Sequence, residues 1–246
     1  TVFWPLGQWL QSAAGWRGAL WAYAALLAAS SLLHLALPRG GAPHGASQAA
    51  QARTAPDAMV PGAKLLYGTI ALCVLFLQTA MASQFLELLR GLGWSAVVAV
   101  TLSSLLGVGQ FVGRGAVVFW AHRMDPVRLN LVPSALQCLC FMLYLGSGRS
   151  LFGAAAFAFL YGLGNGIATI TRGAMPLVLF DAGNYGRTVG AILKPAFAVS
   201  AAAPLVFAVL IEPGGHRAAA TAALTIALAV LVAAVVLDRR VSKRPL

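Results

Sequence analysis

Stretches of about 20 mostly apolar residues, long enough to cross the hydrocarbon layer of a bilayer as a helix, follow one another along nearly the whole chain. Six are read at 18–37, 65–86, 96–119, 129–147, 151–171 and 217–237. A seventh, 188–211, contains Lys194, Pro195 and Pro204. Proline is tolerated in membrane helices where neighbours satisfy the freed carbonyl, so this segment is accepted as a bent span. A soluble core cannot account for so many in succession, because each helix would need a polar face. Only 9% of residues are Asp, Glu, Lys or Arg, against about 25% in soluble domains. The fold class expected is an all-α polytopic membrane protein.

The formal net charge of +11 does not point to nucleic acid. The bases lie in short loops and at the C-terminal end, and no zinc-finger spacing, recognition helix or aromatic RNA-binding motif accompanies them. They fit a topological role instead. The segment 38–64, rich in Ala, Gly and Pro, reads as a linker between two membrane bundles. With that linker cytoplasmic, one side carries Arg39, Arg53, Lys64, Arg123, Arg128, Arg172, Arg187, Arg239, Arg240, Lys243 and Arg244, against Arg17, Arg90, Arg149 and Arg217 on the other. From that bias the linker and the basic tail 238–246 are expected on the cytoplasmic side. Cys73, Cys138 and Cys140 have no metal-ligand spacing, and His34, His44, His122 and His216 are scattered, so neither a metal nor a cofactor is expected.

Residues 1–16 are apolar but too short to cross. With no charged n-region and no cleavage pattern, they suggest a chain cut within an earlier membrane helix rather than a signal peptide.

The run GQFVGRGAVVFWAHRMDPVR, 109–128, joins the third complete span to a basic loop. Gly109, Gly113 and Gly115 leave a groove for close approach of another helix. Arg114 either snorkels to the surface or makes a contact that changes when helices rearrange. Here the chain resembles the major facilitator superfamily of secondary transporters. In AHRMDPVR, 121–128, Arg123 and Arg128 match the basic positions of that family's cytoplasmic loop signature, but His122 stands where the family often has aspartate. The family's acidic residue stabilises one transport state, and neutral His122 supplies no such anion unless Asp125 takes over the role. A second similar passage, YGLGNGIATITRGAMP at 161–176, followed by Leu179, Phe180 and Asp181, resembles the tenth helix and the inner loop of bacterial transporters; Pro176 is expected to bend or end that helix.

The resemblance implies a C-terminal six-helix bundle at 65–237, preceded by helix six and the end of helix five in the remnant 1–37, with the rest of the N-terminal half missing. It also implies a solute site between the halves near the midplane. Polar residues within the spans are the candidates to line it. Gln78 reads as a cavity contact or an interhelical hydrogen bond, Asn165 as a substrate contact or a packing contact, and Gln110 as the same choice. Lys194 lines the inner half of a cavity and attracts an anion, or snorkels to the headgroups. Gly109, Gly113, Arg114, His122, Arg123, Asp125, Arg128 and Arg172 are the gating or loop candidates. No acidic residue falls inside a span, so any coupling proton or ion is expected to use the missing half. The partners expected are lipid, a small solute and that half, with no nucleic acid. No nucleophile–base pattern or phosphate loop supports an enzyme; the alternative to transport is a membrane scaffold or regulator.

Overall fold

The computed structural model describes residues 3–33, 62–120 and 124–243. Expectations for the linker up to residue 61, for His122 and Arg123, and for Arg244 lie outside them. The described residues form helices α1 (Phe3–Leu33), α2 (Ala63–Gly91), α3 (Ala96–Trp120), α4 (Pro126–Leu129), α5 (Leu131–Gly146), α6 (Leu151–Leu179), α7 (Tyr185–Ser200) and α8 (Ala203–Ser242), with a 3₁₀ turn at Ala182–Asn184, and no strand among them. Among the described residues, five stretches are long and apolar enough to cross a membrane: Ala63–Gly91, Ala96–Phe119, Pro126–Gly146, Leu151–Leu179 and Tyr185–Ser242. Much of their outer surface is apolar, with Phe111, Phe119, Phe152 and Leu205 exposed. The chain is an all-α multi-pass membrane protein.

The last stretch, 58 residues, would be about 87 Å long as one helix, enough to cross twice. Gly215 supplies the break, at φ 69 and ψ 178. This conformation is open almost only to glycine, because a Cβ would clash with the backbone. Gly15 breaks α1 in the same way, at φ 67 and ψ 176. Each opens a Gly-X-Arg turn, Gly15-Trp16-Arg17 and Gly215-His216-Arg217.

Between α7 and α8 the helix is interrupted at residues 201–202. Pro204 has no N–H for the carbonyl of Ser200, and Ala202 N–H turns back to Val199 O at 3.1 Å. The expected bend therefore lies just ahead of the second proline. The described part of the first expected span, 18–37, ends at Leu33. At the far end α8 runs to Ser242, through most of the segment read as a tail, with Arg239 and Arg240 in its last turn. There the cations complement the helix dipole.

Within the unit formed by residues 57–246, α2 packs along α7 and α8, while α6 packs along α3 and α5, and α5 also meets α8. The α3–α6 crossing brings backbones together. A Cβ on Gly109 would lie 2.2 Å from Phe159 O, and one on Gly113 2.5 Å from Leu163 O. The approach is reciprocal, since Gly162 and Gly166 face Leu106 O and Gln110 O at 2.1 and 2.5 Å in the same sense. Two small-xxx-small faces thus interlock. Gly115 does not take part, contrary to the expectation of a three-glycine groove, because nothing lies within 4 Å of its Cβ position.

Two larger apolar cores fill most of the unit, beside a small third cluster of Val117, Leu129 and Ile167. One gathers Phe85, Phe141, Tyr144, Phe157 and Tyr161, with the Phe85 and Phe157 rings stacked at 5.1 Å. The other gathers Tyr67, Val74, Ala168, Met175 and Leu237. Along α2 the cores change over between Val74 and Leu77, and along α6 between Tyr161 and Ala168. At that changeover the polar side chains sit.

Candidate functional site: a polar chain between two spans

Gln78 and Asn165 each stand near the middle of a 29-residue helix, about 20 Å from its start. Gln78 Nε2 donates to Asn165 Oδ1. The other end of the same amide, Oε1, accepts from Arg172 Nη1 at 3.0 Å. Both hydrogen-bonding ends of Gln78 are therefore engaged, and all three residues are partly buried. Asn165 and Arg172 are seven residues apart, two helical turns on one face of α6.

Arg172 was expected in the inner loop, because the apolar run stops at Thr171. The structure keeps it inside α6, which continues to Leu179 and contains Pro176. Pro176 has no N–H to give the carbonyl of Arg172. Tyr67 Oη–H of α2 donates to that carbonyl at 3.0 Å, and Thr171 Oγ1–H donates to Asn130 Oδ1 at 3.1 Å. Pro176 thus neither ends the helix nor leaves an orphan acceptor, and α2 is tied to α6 at the Arg172 carbonyl as well as at Asn165.

The remaining candidates are not joined to this chain. Gln110 presents its backbone oxygen to Gly166. Lys194 and Arg114 are exposed, and neither makes a hydrogen bond or ion pair among the described residues. Asp125 caps α4, its Oδ1 accepting from Val127 N–H at 2.7 Å, and Arg128 Nε approaches Asp238 Oδ1 at 3.7 Å. The loop is therefore fastened to the end of α8. Replacing Asp125 by Ala should cost about 1 kcal/mol, as for other lost N-caps, which a thermal melt of the detergent-purified protein will read; an unchanged melting temperature would deny the cap any structural weight.

Two residues passed over in the sequence belong to this account. Tyr67 gave no signal beyond an aromatic near a helix end. Gln137, on α5, is 1% exposed, and neither amide atom has a hydrogen-bond partner among the described residues. An amide amid Leu and Cys is a detectable signal in the sequence, of the same kind as Gln78 and Gln110. No family model, curated protein or solved structure matches the chain.

Proposed function

We propose that the protein is a secondary transporter of a small solute, of the major facilitator type, working by alternating access, with its C-terminal end on the cytoplasmic side of a bacterial plasma membrane. The observation that carries this reading is the chain Asn165–Gln78–Arg172, which joins an arginine two turns from the end of α6 to amides near the middle of two long apolar helices. Polar and charged groups at membrane depth are costly and are retained where they face a solute path or a bundle interior. The paired Gly-X-Arg breaks at Gly15 and Gly215 add support, since transporter folds are commonly built from repeats with weak internal sequence symmetry. In this reading α2–α8 are helices seven to twelve, and α1 is the end of helix five joined to helix six. The fastened Asp125–Arg128 loop would hold one end of the bundle while the other surfaces move.

The test is uptake into proteoliposomes by the full-length protein, assayed against a mixed metabolite pool with and without a proton gradient. Accumulation of a solute that falls at least tenfold in Asn165→Ala is the expected result. Folded, correctly inserted protein that moves no solute would sink the transport reading and leave a membrane scaffold or regulator in its place.

A further inference from the structure

Arg172 carries a full charge, and its partners do not neutralise it. Of the five N–H donors of a guanidinium, one is taken by Gln78, a neutral amide. The acidic residues among those described are all engaged elsewhere or remote from it. Glu87 pairs with Arg90 at 2.9 Å, Asp125 caps Val127, and Asp181 accepts from Asn184 Nδ2 at 3.4 Å. Asp238 faces Arg128, and Glu212 is exposed just before the Gly215 break.

The direction of the side chain is equally informative. Arg172 lies seven residues before the end of α6, about 10 Å from it, within reach of the polar boundary for a side chain that snorkels. It points the other way. Its Nη1 meets Gln78, which is itself bonded to Asn165 two turns closer to the middle of the helix. A helical side chain leans towards the N-terminus, and here that lean carries a cation inward. Desolvating it there is costly unless an opposite charge is supplied.

From this placement we infer that Arg172, positioned by Gln78 and assisted by Asn165, binds the carboxylate or phosphate group of an anion. The inference rests on the transport reading for its identification with the solute path. A planar guanidinium offers two parallel N–H donors to such a group, and the Gln78 bond fixes one edge of the plane while leaving others open. Lys194, exposed on α7 and joined to no polar neighbour among the described residues, is not part of this polar chain.

The experiment measures the unfolding midpoint of the full-length protein in phosphatidylcholine nanodiscs, with succinate, inorganic phosphate or neutral succinamide at matched ionic strength. Succinate or phosphate should raise the midpoint and succinamide should not. The anion's affinity should fall at least tenfold in Arg172→Gln, fall less in Arg172→Lys, and stay unchanged in Arg90→Gln. Equal stabilisation by succinamide, none by either anion, or an unaltered affinity in Arg172→Gln would overturn the inference; the succinamide comparison needs only wild-type protein, should the variants not fold. A parallel set containing phosphatidylglycerol separates the sources of the anion: Arg172-dependent stabilisation by that lipid alone assigns the site to a headgroup. Anion binding without uptake of any solute would leave the site standing and remove the transport reading. Uptake of a neutral solute at full rate in Arg172→Gln would do the reverse.

Discussion

Gly162→Ala and Gly109→Ala should each destabilise the bundle by about 2–3 kcal/mol, and Gly162→Leu should prevent its assembly, because close-packed crossings do not absorb added volume. The reason lies in what the new Cβ meets. It would be 2.1 Å from Leu106 O in one case and 2.2 Å from Phe159 O in the other, and both are backbone atoms that no rotamer change can move aside. Gly115→Ala supplies the contrast, since it sits on the same helix with open space at its Cβ position. That variant should be neutral or gain up to about 1 kcal/mol from reduced backbone entropy in the unfolded chain. Thermal unfolding followed by tryptophan fluorescence in detergent distinguishes the sites. Three alanine variants with the same midpoint would mean that the α3–α6 crossing is not made by glycine.

Replacement of Gln78 by Leu should lower stability by about 1.5–3 kcal/mol, the range for losing a hydrogen bond to a charged group. The loss falls mainly on Arg172, which is left with its charge at the same depth and without the Oε1 acceptor. Removing the charge as well should therefore repair much of the damage. The double variant Gln78→Leu, Arg172→Leu is expected to unfold at a higher temperature than Gln78→Leu alone, as when both members of a buried polar pair give way to apolar groups. A double-mutant cycle on unfolding midpoints measures this coupling. Strict additivity of the two single changes would show that the Gln78–Arg172 bond carries no energy of its own.

Helix identity and the membrane environment were legible in the sequence because a bilayer imposes one demand on every span: about 20 apolar residues whose backbone groups are satisfied internally. Most of the expected spans coincide with observed helices for this reason, and Gln78 and Asn165 stood out as amides within them. Their joining did not. Residues 87 positions apart in sequence become neighbours only when α2 and α6 choose their rotation and depth, and those follow from packing.

The end of α6 shows the limit most plainly. A count of apolar residues stops at the first charge and assigns Arg172 to a loop, whereas the helix continues for seven residues more. Apolar length can establish that a segment crosses, but it cannot say whether a charge at its margin turns outward to water or inward to a partner. Here an amide on another helix offers an acceptor, and Tyr67 occupies the carbonyl that Pro176 leaves free. The glycines divide in the same manner: all three at 109, 113 and 115 permit close approach, and only the facing backbone of α6 decides that the first two use it. Sequence alone determined an all-α chain built to cross a bilayer repeatedly, because that follows from solvation of each segment by itself. The tertiary structure decided which polar groups meet and which way Arg172 turns, because those depend on contacts between segments.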